Sequence, residues 1–169
     1  NFVNNTKQID LGNESINIWD NGLEGNYWSD YNGTDFNQDG VGNTSYLLNI
    51  NNADHYPLMG TFSDFPVTLK EETYHVATVC NSTVSAFQFN GTAISFDVSG
   101  ENGTGFCRIL IPTTLMNGTY KLFVNGTEVS YTLLHFSNST HSYLYFTYSH
   151  SIQEVVIIPE FPTWTLMLL

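Results

Sequence analysis

A period-two alternation of apolar and polar residues runs through residues 66–158 and restricts the fold more than any other feature. Within residues 93–99, the side chains of Ile94, Phe96 and Val98 fall on one face of an extended strand. Residues 120–124 and 129–133 flank Asn125-Gly126-Thr127, a pattern typical of a β-hairpin. Further strands are expected at 74–80, 84–89, 106–111, 143–148 and 154–158. With no helical period in any window, the sequence predicts an all-β fold and an Ig-like antiparallel β-sandwich.

The chain changes character at a proline-bounded stretch between Pro57 and Pro66. Residues 1–58 are rich in Asn, Asp and Gly and have only short apolar runs. We expect an N-terminal unit at 1–59, a linker at 60–65, a sandwich at 66–158 and a C-terminal segment at 159–169. Both ends look cut, and the apolar tail 163–169 is too short to span a bilayer. It is either the opening of a membrane-spanning helix or a frayed tail.

The charge of the chain is strongly acidic, with a formal net charge of −12 and only four Lys and Arg residues. Such a surface repels phosphate backbones, so we expect no nucleic-acid partner. It attracts cations, among which Ca²⁺ is common outside cells. Solubility or adaptation to salt is an equal explanation of the charge.

Asparagine-linked glycosylation is indicated by the number of Asn-X-Ser/Thr acceptor sites. Random placement of the Ser and Thr residues would give roughly four such sites. Beyond Asn52 every asparagine lies in an acceptor site, and turn preference does not explain Asn81 and Asn138, which occur in Asn-Ser-Thr. We therefore expect a glycosylated and exported protein. The acceptor asparagines are Asn4, Asn13, Asn32, Asn43, Asn81, Asn90, Asn102, Asn117, Asn125 and Asn138.

The two cysteines, Cys80 and Cys107, fit an oxidising compartment. A disulfide between them would close a loop worth about 3–4 kcal/mol in the chain-entropy model. The alternative is a pair of buried thiols on neighbouring strands.

A candidate calcium loop begins at Asp35. Oxygen-bearing side chains at alternate positions followed by a glycine match the first half of a Ca²⁺-binding loop, although the bidentate glutamate and flanking helices of an EF-hand are missing. Asp30, Asp54 or Glu24 would supply a further carboxylate. A polar turn cluster is the alternative. The predicted ligands are Asp35, Asn37, Asp39, the Val41 carbonyl, Asn43 and Asp30.

Other chemistry has little support in the sequence. The histidines show no metal-ligand spacing, and no nucleophile elbow or phosphate loop occurs. Paired carboxylates are the only acid–base candidates. Trp19 and Trp28 lie near Asp20, Glu24 and Asp30, so a sugar could stack on these rings. The favoured interpretation is that the two tryptophans plug the end of a β core.

The N-terminal region resembles the last coil and cap of NosD-like right-handed parallel β-helix proteins from archaeal cell surfaces. The resemblance covers roughly residues 1–59. Asn1-Phe2-Val3-Asn4-Asn5 looks like one turn of the Asn-rich β-helix repeat, and four further short motifs follow it. Such caps commonly read Asp-Gly-Ile-Gly-Asp-Thr-Pro-Tyr, whereas this chain has Asn43 and Ser45 at the second Asp and at the Pro. The departure removes a carboxylate and creates an acceptor site. The motifs are Ile18-Trp19-Asp20-Asn21-Gly22, Gly25-Asn26-Tyr27-Trp28-Ser29-Asp30-Tyr31, Asp39-Gly40-Val41-Gly42 and Tyr56-Pro57-Leu58-Met59.

The rest of the chain extends this resemblance. Residues 66–158 look like the β-sandwich that often follows such a cap, with Gly105-Phe106-Cys107-Arg108 and Ile111-Pro112 as its recognisable part. Pro159-Glu160-Phe161-Pro162 resembles the Pro-Glu-Phe sorting signal of archaeal surface proteins, which implies processing by an archaeosortase or a membrane anchor. The family name suggests copper delivery, which the histidine spacing does not support.

Together these features predict a non-catalytic structural or adhesion module on the cell surface, membrane-anchored, with cell-surface components or polysaccharide as partners. One alternative is an accessory part of a carbohydrate-active β-helix enzyme whose active site lies in rungs upstream of Asn1. The other is a sugar-binding module at Trp19 and Trp28.

Overall fold

The computed structural model describes residues 1–11 and 15–160 and contains strands but no helix within them. The all-β prediction is therefore confirmed for this part of the chain. Every extended ladder is antiparallel. The strands are β1 Tyr46–Asn49, β2 Asn52–Asp54, β3 Thr61–Leu69, β4 Glu72–Cys80, β5 Thr83–Phe89, β6 Ile94–Ser99, β7 Thr104–Pro112, β8 Tyr120–Val124, β9 Thr127–Val129, β10 Thr132–Leu133, β11 His141–Ser149 and β12 Gln153–Pro159.

Two five-stranded sheets form a sandwich around one core. Sheet 1 has the strand order β10-β11-β7-β4-β3, and sheet 2 has the order β5-β6-β12-β8-β9. Alternation decides which side chains enter the core. Thus Ile94, Phe96 and Val98 of β6 are all buried, as their spacing predicted. They join Ile109 of β7 and Leu144 of β11 in the same apolar cluster.

The predicted hairpin between residues 120 and 133 is confirmed in its first half only. β8 pairs with β9, and Asn125 and Gly126 form the two-residue turn with positive φ at both positions, as a type I′ turn requires. The second half divides, because β9 lies in sheet 2 while β10 pairs with β11 in sheet 1. Residues 130–131 therefore carry the chain from one sheet to the other.

The predicted linker at 60–65 is a strand in the structure. β3 begins at Thr61 and pairs continuously with β4 from Thr61–Cys80 to Leu69–Glu72. The prediction placed the start of the sandwich at Pro66, the second proline of the proline-bounded stretch. β3 is an edge strand, where a missing N–H donor leaves no gap in a ladder.

Residues 1–11 and 15–60 form no large sheet and are held by a short ladder, isolated bridges and side-chain contacts. β1 and β2 form a two-stranded antiparallel sheet. Phe2 forms a parallel bridge with Trp28, and Tyr27 forms one with Leu58. Trp28 is fully buried, with Phe2 stacked on it at a ring-centroid distance of 4.2 Å and Tyr46 at 4.6 Å.

Candidate functional site

Arg108 is the centre of the junction between the N-terminal region and the sandwich. Along β7 the odd-numbered residues face the core, so Arg108 projects from the outer face of sheet 1. Its guanidinium is almost fully buried, with 4% of the side chain exposed, and pairs with the Glu24 carboxylate at 2.8 Å. It also donates a hydrogen bond to the Asp39 carbonyl at 3.1 Å. One buried cation thus links the sandwich to two loops of the N-terminal region.

An apolar cluster lies beside this ion pair. Val41 and Leu58 from the N-terminal region pack against Val79 of β4, with Phe106 of β7 at the margin. Val41 and Leu58 also form an antiparallel bridge. The outer face of sheet 1 is therefore covered here instead of facing water.

A cavity of about 300 Å³, which we call the junction cleft, opens next to Glu24. Its lining includes Asp39, Tyr56, Phe136, Asn138 and Tyr143 in addition to Glu24. Phe136 and Tyr143 meet edge to face with ring centroids 4.7 Å apart. Burial raises the pKa of the Tyr143 hydroxyl, with a further upward contribution from the Glu24 carboxylate, so this group is a neutral hydrogen-bonding partner near pH 7. The cleft combines aromatic surface with amide, carboxylate and hydroxyl groups and the imidazole of His135.

The predicted calcium loop folds into a hydrogen-bonded polar turn. The Asp35 carboxylate accepts hydrogen bonds from the N–H groups of Asp39 and Gly40, at 3.1 and 2.8 Å. Asn37 donates to Asp39 at 2.7 Å and accepts from Asn43 at 3.1 Å. Gly40 adopts a positive φ of 81°, which favours glycine at the sharp turn. Four of the predicted ligand side chains are therefore brought together.

The other carboxylates considered as ligands have other partners. Both Asp30 carboxylate oxygens lie 3.0 Å from the Tyr46 hydroxyl. The Val41 side chain is buried and its backbone bridges Leu58, but the hydrogen bonds beside this bridge, from Gly42 N to Pro57 O and from Met59 N to Gly40 O, do not use the Val41 carbonyl that was predicted as a ligand. Glu24 is paired with Arg108. Within residues 1–11 and 15–160, no three His, Cys, Asp or Glu side chains form a group suited to a metal ion.

Burial pulls the pKa of Asp35 upward. Desolvation is the largest cause, and the neighbouring Asp39 carboxylate adds to it, while the N–H groups of Gly40 and Asp39 oppose both. A cation bound to the Asp35–Asp39 pair would offset the desolvation and the mutual repulsion.

The suggestion that a sugar stacks on Trp28 is wrong for this structure, because the indole has no exposed surface and its ring is stacked with Phe2 and Tyr46. Trp19 contacts the edge of Trp28 and donates its indole N–H to Asn52 at 3.1 Å. Trp28 lies in the interior of the N-terminal region and Trp19 is half-buried beside it, in line with the favoured interpretation of an aromatic plug.

Asp54 has a structural role, whereas the sequence analysis considered it only as a further carboxylate for the calcium loop. Its carboxylate is fully buried and accepts hydrogen bonds from the Asn26 N–H at 2.6 Å, the Trp28 indole N–H at 2.8 Å and the Tyr56 N–H at 3.0 Å. A Cβ atom at position 25 would overlap this carboxylate, so the site requires Gly25. No local pattern marks Asp54, because its partners come from separate loops.

A buried Ser–His contact was also missed. The Ser82 hydroxyl lies 2.9 Å from His150 Nε2 and accepts a hydrogen bond from the Tyr148 hydroxyl at 2.7 Å. A serine bonded to an imidazole resembles an activated nucleophile. Here the serine is 4% exposed and its oxygen already bonds two side chains, so the contact ties the β4–β5 turn to the end of β11.

The two cysteines face each other on adjacent strands of sheet 1. Cys80 of β4 is in register with Cys107 of β7, with Cα atoms 4.4 Å apart, and the structure joins their sulfur atoms in a disulfide. Both side chains are fully buried in the sandwich core.

Nine of the ten acceptor asparagines lie in the described part of the chain, and Asn13 lies outside it. All nine side chains are exposed and none is in a strand, and the Ser or Thr two positions later is exposed in every case. By contrast, Asn52 is buried and Asn26 half-buried, and neither begins an acceptor site.

Comparison with protein-family models, with curated protein sequences and with solved structures gave no significant match. In the described residues, no helix has the length and apolar character needed to cross a membrane. Pro159 and Glu160 of the predicted sorting motif are described, whereas Phe161, Pro162 and the apolar tail fall outside the described residues.

Proposed function

We propose that this chain is a glycosylated, exported structural module of a cell-surface protein. The observation that carries the proposal is the shared exposure of the nine described acceptor asparagines and of the Ser or Thr that completes each site. An enzyme that attaches a glycan needs access to both residues.

The buried disulfide supports the same compartment. Disulfides persist in oxidising surroundings and are rare in the cytosol. Cys80 and Cys107 are in register across two paired strands at a Cα separation suited to a bridge.

We further propose that residues 1–59 form the last coil and cap of a parallel β-helix. Support comes from the two parallel bridges, Phe2 to Trp28 and Tyr27 to Leu58, and from hydrogen bonds that run from Phe2 N to Tyr27 O at 2.7 Å and from Ser29 N to Phe2 O at 2.9 Å. This alternation is the pattern of a parallel ladder. A cap of this kind covers strand edges that would otherwise pair with other chains.

The proposed task of the sandwich is that of a spacer or adhesion domain carrying the cap. Its two antiparallel sheets support an Ig-like arrangement, and the Arg108–Glu24 pair supports a fixed contact between the two units. Exposed glycans on both would shield the surface. No catalytic step is part of the proposal.

The test is glycopeptide mass spectrometry on protein purified from its native host. We expect glycans on acceptor asparagines and none on Asn26 or Asn52, which serve as internal controls. Reduction and alkylation of the same sample should release Cys80 and Cys107 from one disulfide-linked peptide pair. Unmodified asparagines throughout, in native material, would refute the proposal.

A further inference from the structure

We propose that a glycan attached to Asn138 folds back into the junction cleft and packs its first sugar on Phe136 and Tyr143. This inference rests on the proposed glycosylation of the chain. The sequence Phe136-Ser137-Asn138-Ser139-Thr140 places an aromatic ring two residues before an acceptor asparagine, and both residues line the same cavity. The occupant of the cleft is then part of the chain's own covalent structure.

Hydrogen bonds fix the Asn138 side chain in a position suited to glycan attachment. Its Oδ1 accepts hydrogen bonds from Thr140 N at 2.9 Å, Thr140 Oγ1 at 2.7 Å and His141 N at 3.1 Å. Its Nδ2 donates to no group in the described part of the chain. The amide can therefore be glycosylated without the loss of a hydrogen bond, whereas Nδ2 of Asn81 already donates to the Thr104 carbonyl at 3.1 Å.

Attachment requires a lipid-linked glycosyl phosphate as the donor. The anomeric carbon forms a bond to Nδ2, its bond to the donor phosphate oxygen breaks, and the phosphate leaves with the lipid. The amide nitrogen gives up one proton, which the leaving phosphate takes, and keeps the other. No oxidation or reduction takes place.

The cleft has the surface that a sugar ring needs. Phe136 and Tyr143 provide aromatic faces and edges for the C–H groups of the sugar, and Tyr56 adds a third ring that is 39% exposed. Carboxylates of Glu24 and Asp39 accept hydrogen bonds from hydroxyl groups and repel an acidic sugar. About 300 Å³ is at the lower end of the range for small-ligand sites, which suits one or two sugar units rather than a long chain.

Asn90 provides a matched control. Its Oδ1 accepts from Thr92 N at 3.0 Å, Thr92 Oγ1 at 3.0 Å and Ala93 N at 2.8 Å, which is the same turn geometry as at Asn138. Asn90 is not part of the junction cleft. Replacing either asparagine by glutamine removes the same turn contacts. Only the change at Asn138 also removes the glycan that is proposed to occupy the junction cleft.

The experiment measures melting temperatures of the full chain made in a secretory host that installs N-linked glycans and in a bacterial host that does not. Asn138→Gln should lower Tm by about 2–4 °C more in the glycosylating host than in the bacterial one. Asn90→Gln should lower it equally in both hosts. In the Phe136→Ala background the host-dependent part of the Asn138→Gln effect should disappear.

Glycopeptide analysis of the same samples distinguishes a failure of this inference from a failure of the proposed function. Glycans at other sites with none at Asn138 would overturn this inference alone, and bare asparagines throughout would overturn the proposed function as well. A glycan on Asn138 whose loss has no host-dependent effect would show that it extends into solvent and would overturn the inference. A rise in Tm of the bacterial protein with free N-acetylglucosamine, without a host-dependent difference, would assign the cleft to an external sugar and overturn it too.

Discussion

Removal of Glu24 should destabilise the protein more than removal of Arg108, although arginine is the larger side chain. Arg108 is 4% exposed and Glu24 32% exposed. The buried arginine therefore loses more when its partner is removed than the partly exposed glutamate does. Glu24→Ala leaves a buried guanidinium whose remaining described partner is the Asp39 carbonyl. Arg108→Met removes the buried charge and leaves a carboxylate that water can reach.

The magnitudes follow from this asymmetry. Loss of one partner of a buried ion pair costs about 3–5 kcal/mol. A cavity of about 40 Å³ beside Arg108, Glu24 and Tyr143 can admit a water molecule, so the lower end, about 3 kcal/mol, applies to Glu24→Ala. Arg108→Met loses the hydrogen bond to the Asp39 carbonyl and should cost about 1 kcal/mol. The expected difference is therefore about 2 kcal/mol.

Urea unfolding at 25 °C is the suitable assay, because urea is uncharged and does not screen the pair. With Trp164 replaced by phenylalanine in every variant, indole fluorescence reports on Trp19 and Trp28 in the N-terminal region, and far-ultraviolet circular dichroism reports on the strands. Glu128→Ala is the control, since Glu128 is 57% exposed and lies 3.7 Å from Lys121 on the surface. It should change the free energy of unfolding by at most about 1 kcal/mol. An equal or smaller cost for Glu24→Ala than for Arg108→Met would refute the reasoning.

Four further predictions concern the core, the N-terminal region and, in two cases, the polar turn. Replacing Cys80 and Cys107 together by alanine should lower the free energy of unfolding by about 3–4 kcal/mol, measured against the reduced and oxidised parent in urea. Asp54→Asn should cost about 1–3 kcal/mol, because its amide cannot accept from all three N–H donors, and the loss should appear in indole fluorescence first. Asp35 has a raised folded-state pKa, so its contribution to stability is present at low pH and is lost as pH rises through that value; Asp35→Asn should flatten this part of the stability–pH profile. If the turn binds Ca²⁺, the ion at ten times its Kd should add about 1.4 kcal/mol above that pH, and Asp39→Ala should abolish the gain; no shift at millimolar Ca²⁺ would exclude the site.

The sandwich strands were predictable because each buries one face in the core, which gives an alternation of apolar and polar residues. Alternation gave β8 at its observed bounds and β6 to within one residue, and the Asn125-Gly126 pair located the hairpin turn. The start of β3 was not predicted, because a proline such as Pro66 argues against a strand unless that strand is known to lie at the edge of a sheet. Whether a strand lies at an edge depends on the order of all strands in the sheet, and a short stretch of sequence does not specify that order.

The junction was not predictable in the same way, because its contacts join distant parts of the chain. The calcium-loop prediction correctly grouped Asp35, Asn37 and Asp39, whose spacing is local. It failed for Asp30, which the fold directs to the Tyr46 hydroxyl. Charge and residue type identify candidates, but only the fold assigns their partners.

One signal for the junction was nevertheless present in the sequence. A sandwich strand with one solvated face alternates, yet β4 is buried at every position from 76 to 80, and β7 carries Ile109-Leu110-Ile111 without a polar break. A continuous apolar run in an antiparallel sheet indicates that both faces are covered. Arg108, one of only four Lys and Arg residues in the chain, directly precedes the β7 run. A cation in a strand covered on both sides requires a carboxylate from the covering segment, so these runs and this arginine together predict an acidic loop packed on the outer face of sheet 1.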